Sequence, residues 1–174
     1  MGQYREGIMP KAGGKSFERD MVRAFNVYFL ENGIDALAYR RWAPERSHQE
    51  FDLVCDSADI GFYLAIECKS VSEQSTKALY FKSHFSAPNG NHQLDRERDW
   101  LRRTGRIGLL AVEIRAGKGK QREAYMIPFM EVMDVYRAGA TGLPLANVRH
   151  YIPVPRINKQ YEITESVIDC IELP

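Results

Sequence analysis

The sequence is poor in the features that define several whole classes of protein. Its 174 residues include only three cysteines, Cys55, Cys68 and Cys170, which are too few and too scattered for a disulfide framework or a zinc site. It shows no secretory leader, no internal repeat and no apolar run long enough to span a membrane. We therefore expect a cytoplasmic protein of a reducing compartment, with no membrane partner, in which Cys55 and Cys68 are core thiols.

Charge of one sign is not in excess either. The chain has 24 Lys and Arg against 23 Asp and Glu, which gives a net charge of +1. A nucleic-acid partner would therefore have to be met by a local basic patch rather than by the field of the whole protein. The length suits one domain with a sizeable core, and the hydrophobic share of 44% is ordinary for a globular protein.

The stretch with the clearest pattern predicts two β-strands, at residues 51–55 and 62–69, joined by a turn. Alternate residues of a strand share a face, so the second strand has one wholly apolar face, while Glu67 and Lys69 project together from the other. Asp52 lies between two apolar residues of the first strand. Burying charge is costly unless the charge is paired or bound to a metal, so these three ionisable side chains are candidates for a functional site.

A helix is predicted over residues 16–32, between a serine N-cap and a glycine. At 100° per residue, Glu18 lies in the middle of the apolar face that Phe25 and Phe29 define. The helix dipole and a lysine partner would account for a first-turn glutamate without any function. Such residues usually face solvent, however, and the inward position of Glu18 favours a functional role.

The remaining pattern predicts an α/β fold with one mixed central β-sheet flanked by helices. Further strands are expected at residues 34–42, 107–115 and 123–128, further helices at 92–103 and 130–137, and short edge strands at 148–154 and 161–164. Residues 70–91 are predicted to form a long functional loop. We expect a flexible N-terminal arm over residues 1–14, a main domain over 15–138 and a C-terminal extension over 139–174 packed on that domain.

Two charged segments have competing interpretations. Arg40 and Arg41, at the end of a predicted strand, could contact phosphates or belong to an ordinary solvated loop. The helix at 92–103 mixes arginines with acidic residues that include Glu97, a pattern more typical of a solvated face than of a binding site.

Four residues, Glu18, Asp52, Glu67 and Lys69, are together consistent with a metal-dependent hydrolytic site. Mg²⁺ takes oxygen ligands, commonly one or two carboxylates with waters and phosphate oxygens. A metal held by Asp52 and Glu67 could polarise a phosphodiester and lower the pKa of a bound water, while Lys69 could orient that water or offset developing charge. The spacing Asp-x14-Glu-x-Lys alone is also met by surface strands with an ion pair. The apolar opposite face and the inward-facing Glu18 favour catalysis.

Several segments resemble known nuclease motifs. Asp52 and the run Glu67-Cys68-Lys69 resemble the PD-(D/E)xK signature of the restriction-endonuclease-like nucleases, with Phe51 where the signature has proline. The run from Gly14 to Arg19 resembles the G-x-x-x-E-R start of archaeal Holliday-junction resolvases, and Asn26–Phe29 and His92-Gln93 resemble the RecU resolvases. The order and spacing hold from about Gly14 to Pro128. The segment 42–50 is short where RecU enzymes carry a protruding stalk.

The resemblance implies a restriction-endonuclease-like core over the main domain and a homodimeric, Mg²⁺-dependent endonuclease that nicks branched duplex DNA in recombination and repair. Mn²⁺ would be a substitute for Mg²⁺. Carried over residue by residue, it implies metal-site acids at Glu18, Asp52 and Glu67, a catalytic lysine at Lys69, a supporting residue at Gln93, and DNA contacts at Lys15 and Arg19. Arg40, Arg41 and Lys77 are further candidates for DNA contacts.

Two alternatives stay open at this point. The same chemistry could act on other DNA, as in a restriction or phage-type nuclease, although an isolated domain without a recognition module favours a junction enzyme. The chain could also be a non-catalytic protein that binds branched DNA, although the presence of all four catalytic-type residues argues against this.

Overall fold

The computed structural model describes residues 14–41 and 49–172, so most of the expected N-terminal arm lies outside the described residues. The elements in chain order are α1 (Gly14–Glu31), β1 (Ala36–Arg40), β2 (Leu53–Ser57), β3 (Leu64–Ser72), β4 (Ala78–Tyr80), α2 (Phe81–His84), α3 (Gln93–Thr104), β5 (Ile107–Arg115), β6 (Arg122–Pro128), α4 (Phe129–Arg137), β7 (Gly142–Pro144), α5 (Leu145–Val148), β8 (Ile152–Pro153), β9 (Arg156–Ile157), β10 (Gln160–Tyr161) and α6 (Glu165–Glu172). None of the helices among these residues is both long enough and apolar enough to cross a membrane.

Six strands form one central sheet in the order β1-β2-β3-β5-β6-β8. Strands β3 and β5 are parallel, and the other neighbours in this sheet are antiparallel. A parallel pair needs a crossover connection, and α3 provides it between β3 and β5. The predicted α/β fold, with a mixed central sheet flanked by helices, is therefore confirmed. Two small two-stranded sheets, β4–β7 and β9–β10, lie beside it.

Both faces of the central sheet are covered by apolar side chains. On one side, here the α1 face, buried residues of α1 and α6 pack against Leu64, Ile66 and Leu109. On the other, here the α3 face, buried residues of α3 and α4 pack against Ala65 and Leu110. Adjacent residues of β3 thus enter different cores, as the period of two in a strand requires. Cys55 and Cys68 are buried in the core of the α1 face, as predicted.

Three local predictions are wrong. Residues 70–91 are not one long loop, because they contain the end of β3 together with β4 and α2. The first part of the 62–69 strand is the end of a 3₁₀ turn, Ile60–Phe62. The expected edge strands at 148–154 and 161–164 are reduced to the two-residue strands β8 and β10, and the same region contains the unpredicted helices α5 and α6. Val167 and Ile171 of α6 are buried. The prolines that mark this region as irregular concealed the short helices.

Helix α3 has clear boundaries in both sequence and structure. His92 is its N-cap, and the ring Nδ1 accepts a hydrogen bond from the backbone N–H of Leu94 at 3.3 Å. Gly105 ends the helix with a φ of 71°, a left-handed conformation that glycine adopts without strain. These caps fix which residues of α3 face the sheet, and therefore the positions of Gln93 and Glu97.

The side chain of Asn26 links helix α1 to the backbone of the edge strand β1. The amide of Asn26 donates to the carbonyl of Ala38 and accepts from its N–H, both at 2.8 Å. Capping an edge strand in this way satisfies backbone groups that would otherwise be open to pairing with another strand. It also fixes α1, and with it Glu18, relative to the end of the sheet.

Candidate active site

The candidate site lies in a notch where β2 is shorter than its neighbour β3. Asp52 immediately precedes β2, whose first residue Leu53 is opposite Ile66, so β3 continues past the end of β2. The backbone N–H of Cys68, left without a strand partner there, donates to Oδ2 of Asp52 at 2.9 Å. The carboxylate of Asp52 thus replaces a ladder hydrogen bond, which holds it beside Glu67 and Lys69.

Phe51 enters this notch with an unusual backbone conformation. Its φ is 62°, although the residue is bulky and has no exposed surface. Such a conformation is strained for a non-glycine residue and persists only where the surroundings impose it. The ring packs on Trp100 and Phe129, with centroids 5.5 Å and 5.4 Å away. Proline, which locks φ near about −65°, could not adopt this conformation, so the departure from the signature at Phe51 has a structural reason.

Glu67 and Lys69 form an ion pair on the α3 face. Glu67 is 3% exposed, and Nζ of Lys69 donates to its Oε1. Nζ also lies 4.6 Å from the centre of the Phe85 ring. Burial by itself would lower the pKa of Lys69, but the charge of Glu67 and the hydrogen bond to it raise that pKa above its ordinary value. Lys69 is therefore a fixed cation at neutral pH and not a proton acceptor.

Gln93 connects this pair to α3. Its Nε2 donates both hydrogens, to Oε1 of Glu67 at 2.8 Å and to Oε1 of Glu97 at 2.6 Å. Its Oε1 accepts the backbone N–H of Ser86 at 3.1 Å. Because that N–H can only donate, the orientation of the amide is fixed by its surroundings. The amide therefore holds Glu67 in place, and the supporting role of Gln93 stays a prediction.

Glu97 is the residue that the sequence analysis placed wrongly. It has no exposed surface, contrary to the expected solvated face, and its Oε2 has no hydrogen-bond partner within the described part of the chain. Burial, and then the charge of Glu67, raise its pKa well above the ordinary value. The signal was present in the sequence, because Leu94, Glu97 and Leu101 follow the three- and four-residue spacing of one helix face.

Asp52 carries the clearest electrostatic sign of a functional site. Burial first, and then the charge of Glu67, raise the pKa of Asp52 to about 8, with a smaller contribution from Glu18. The N–H of Cys68 and the charge of Lys69 act in the opposite direction without cancelling this. The notch therefore holds more carboxylate than nearby cations can neutralise, a condition that is common at functional sites.

Glu18 approaches the notch from α1 but has its own partner. Its Oε2 lies 2.7 Å from a guanidinium nitrogen of Arg40. Arg41 is also engaged, because it donates to the carbonyl of Glu50 at 2.9 Å and its guanidinium lies 5.0 Å from the centre of the Trp100 ring. Both arginines proposed as DNA contacts thus have protein partners. Arg40 would have to leave Glu18, or share it, to reach a phosphate.

The other expected DNA contacts are less closely tied to the notch. Arg19 and Lys77 are exposed, on α1 and just before β4 respectively. Lys15 is the second residue of α1, and its side chain lies outside the described part of the structure. The structure thus brings Asp52, Glu67, Lys69 and Gln93 together, with Glu18 nearby.

The donor set suits a hard cation. Asp52 and Glu67 provide two carboxylates side by side, which is the number that Mg²⁺ commonly takes from a protein. Burial first, and then the charge of Glu67, raise the pKa of Asp52, and a bound cation would favour its ionised form. No group of three or more His, Cys, Asp or Glu in residues 14–41 and 49–172 is arranged to hold a metal, so the expected three-acid set with Glu18 is not assembled here. Asp52 and Glu67 are the residues that could hold the ion.

Comparisons with known proteins give little beyond this geometry. No protein-family model matches the sequence, and no curated protein matches it. Among solved structures, the chain is similar to Hjc of Archaeoglobus fulgidus, a Holliday junction resolvase, at 19% sequence identity over 90% of this chain and 92% of that one. The TM-score is 0.41. A likeness at this level carries no weight for function, which has to be argued from the side chains.

Proposed function

We propose that this chain is a Mg²⁺-dependent DNA endonuclease that hydrolyses phosphodiester bonds, with four-way junctions as its preferred substrate. The observation that carries the proposal is the notch itself, where Asp52, Glu67 and Lys69 lie together and the pKa of Asp52 is raised to about 8. A buried carboxylate pair with a single fixed cation beside it suits a divalent metal and an anionic substrate. The motif resemblance in the sequence supports the nuclease assignment.

Each residue has a distinct task in this proposal. Asp52 and Glu67 would hold Mg²⁺, or Mn²⁺ in its place, and the bound metal would polarise the phosphodiester and lower the pKa of a water. Lys69 stays protonated and offers positive charge where the phosphate develops negative charge. Gln93 keeps Glu67 oriented through its hydrogen bond. Glu18 adds negative charge at the edge of the notch and positions Arg40.

The preference for branched DNA and the homodimer rest on the resolvase-like motifs. Two copies of the chain would place one notch at each of two strands of a four-way junction, which suits resolution by paired nicks in recombination and repair. A restriction or phage-type nuclease would use the same residues on a linear duplex.

The deciding experiment compares an immobile four-way junction with a linear duplex of the same arm sequence, first with Mg²⁺ and then with EDTA. We expect paired, symmetric nicks on the junction alone, and none with EDTA. Cutting of both substrates would retain the metal site and assign the function to a more general nuclease. Tight junction binding without cutting would favour a non-catalytic DNA-binding protein and would contradict the proposal.

Substitutions test the residue assignments. Glu67→Ala and Lys69→Ala should abolish cleavage while leaving DNA binding largely intact, because phosphate contacts come mainly from other basic residues. Arg103→Ala, which removes an exposed cation from the far end of α3, is the matched control and should cleave normally. Cleavage by Glu67→Ala at the rate of the control would show that the notch is not the active site.

A further inference from the structure

Three arginines from three strands lie together on the α1 face of the sheet. Arg115 ends β5 and is opposite Arg122, the first residue of β6, in the antiparallel register. Directly opposite residues have Cα atoms about 4.5–5.5 Å apart, and like charges in that position destabilise a sheet. Arg156 of β9 joins them, with its guanidinium 5.4 Å from the centre of the Tyr161 ring. This arginine cluster is thus an electrostatic anomaly within the fold.

A single acid compensates the cluster. Glu113, two residues before Arg115 on the same face of β5, lies 3.2 Å from a guanidinium nitrogen of Arg122. Glu113 has no exposed surface and also accepts hydrogen bonds from Tyr161 and Ser70. No acid in the described part of the chain forms an ion pair with Arg115 or Arg156, and Nε of each is buried without a partner there. The cluster therefore holds surplus positive charge.

The arginine cluster is linked to the notch through two elements, although Glu67 and Lys69 lie on the opposite face of the sheet. The Tyr161 ring packs edge-on against Phe17, with centroids 5.5 Å apart, and Phe17 directly precedes Glu18. Ser70, whose hydroxyl reaches Glu113 at 2.6 Å, directly follows Lys69. The N-terminal end of α1, where the helix dipole is positive, begins on the same side.

The strand that carries Arg156 belongs to a tight hairpin. Asn158 and Lys159, its two turn residues, have φ values of 49° and 67°, as in the primed two-residue turns that connect antiparallel strands. Residues 157–160 are exposed, with Lys159 at the tip. The C-terminal segment therefore presents its cations on a short rigid ribbon, in a part of the chain for which the sequence indicated no function.

We propose that Arg115, Arg122 and Arg156 form a phosphate-binding site for the DNA backbone. The inference rests on the proposed function in that the anionic partner is DNA. Guanidinium groups match phosphate geometry and remain charged at every physiological pH, so they suit this task better than lysine would. The like-charged pair in the sheet is then a feature retained for binding rather than for stability.

The test measures DNA affinity by fluorescence anisotropy in EDTA over a series of salt concentrations. The variants are Arg115→Gln and Arg156→Gln; Arg122 is kept because its loss would leave buried Glu113 without its cation. We expect each variant to weaken binding roughly tenfold at low salt. We expect each to reduce the slope of log affinity against log salt by about 0.9, the value for one phosphate contact. Arg103→Gln, with the same change in charge, should match the wild type.

The outcomes separate this inference from the nuclease proposal. If the wild type cuts DNA and both variants keep its salt slope, the phosphate site is wrong and the nuclease proposal stands. If the slope falls as expected but no cutting is seen, the arginine site stands and the nuclease proposal fails. Titration with inorganic phosphate, followed by NMR, provides a third arm: binding at the cluster with an unchanged DNA slope would show a site for free phosphate and overturn the DNA assignment. Thermal melting of each variant, with Arg156→Lys as a milder change, checks the fold.

Discussion

Glu97 and Glu113 both have no exposed surface, yet they lie on opposite faces of one sheet in opposite surroundings. Glu113, on the α1 face, accepts hydrogen bonds from Ser70 and Tyr161 and has Arg122 as its cation. Glu97, on the α3 face, accepts one bond from Gln93, and its other oxygen has no partner in the described residues.

This difference distinguishes Glu113, a carboxylate that stabilises the fold, from Glu97, a carboxylate that belongs to the candidate active site. On the α1 face the acid is in the minority and both oxygens of Glu113 accept hydrogen bonds, so the charge stabilises the fold. On the α3 face, burial and then the charge of Glu67 raise the pKa of Asp52 and of Glu97, and the charge of Lys69 only partly opposes this. Strain and uncompensated charge of this kind concentrate at functional sites, where stability is given up for chemistry.

The largest expected effect is a loss of stability with rising pH. The pKa of Asp52 is about 8 in the folded protein against 3.8 ordinarily, so the folded state holds the proton more tightly. The contribution of protonated Asp52 to the free energy of unfolding is complete below about pH 4 and is lost as the pH rises towards 8. At about 1.4 kcal/mol per pKa unit, the loss is on the order of 5 kcal/mol. Urea unfolding without metal at pH 5, 6.5 and 8 measures it.

Asp52→Asn is the control for this pH dependence. The variant cannot ionise at position 52, so its stability should change less between pH 5 and pH 8 than that of the wild type. Mg²⁺ added at pH 8 should stabilise the wild type, because an ion that binds only the folded state shifts the equilibrium towards it. The effect on the variant should be much smaller, because it lacks the carboxylate of Asp52. Equal pH dependence in the two proteins would show that the ionisation of Asp52 does not cause the loss of stability.

Glu113→Gln should be the most destabilising of the isosteric changes. It removes the charge that pairs with Arg122 and weakens the bonds from Ser70 and Tyr161, so we expect a loss of about 1.5–3 kcal/mol in the free energy of unfolding. Chemical denaturation at pH 7 gives the value. An unchanged free energy of unfolding would mean that the charge of Glu113 does not stabilise the packing of the α1 face.

Glu97→Gln should have the opposite sign. It removes a buried carboxyl whose pKa is raised by burial and by Glu67, so we expect a gain of about 0.5–2 kcal/mol at pH 8. Glutamine can still accept the bond from Gln93, and cleavage should largely persist. If Glu97→Gln lowered the stability as much as Glu113→Gln does, the two buried glutamates would not differ in their effect on the fold, and the contrast between the two faces would be wrong.

Glu97→Ala should separate positioning from stability. Without Glu97, the Gln93 amide loses one of its two acceptors and holds Glu67 less firmly, so we expect a loss of about 10–100-fold in cleavage or in Mg²⁺ affinity. The midpoint of a Mg²⁺ titration and the rate at saturating DNA are the two readouts. Rescue of both by Glu97→Gln would identify the hydrogen bond, not the charge, as the useful feature.

The smallest effect is expected for Ser70→Ala. Glu113 would lose the hydrogen bond from the Ser70 hydroxyl and keep its bonds from Arg122 and Tyr161. The free energy of unfolding should therefore fall by about 1 kcal/mol. Thermal and urea melts of the variant measure it. A cost as large as that of Glu113→Gln would show that the network acts as a unit and that its bonds cannot be counted separately.

The sequence was sufficient for the fold class and for much of the notch. Alternation along β3 placed Glu67 and Lys69 on one face, and the helical spacing of α1 turned Glu18 inward, because strand and helix periods follow from backbone geometry. The same rule, applied to Leu94, Glu97 and Leu101, would have revealed the burial of Glu97. It was missed because the surrounding arginines suggested a solvated helix face.

Other features could not be predicted from local pattern. The φ of 62° at Phe51 depends on the rings of Trp100 and Phe129 that enclose it, and the pairing of Glu18 with Arg40 depends on how α1 lies against β1. The short helices α5 and α6 were missed because the prolines of this region suggested an irregular tail, although Val167, Ile168 and Ile171 follow the spacing of one helix face.

By itself, the sequence determined the α/β class, the strand that bears Glu67 and Lys69, and the candidate chemistry of their carboxylate and ammonium groups. The tertiary structure alone decided which charges meet. Ser70 and Glu113 are 43 residues apart and become neighbours only through the parallel register of β3 and β5. Burial and the distances between charges set the pKa of Asp52 and the surplus of arginine on the α1 face. Both quantities depend on contacts between distant segments, which no local periodicity specifies.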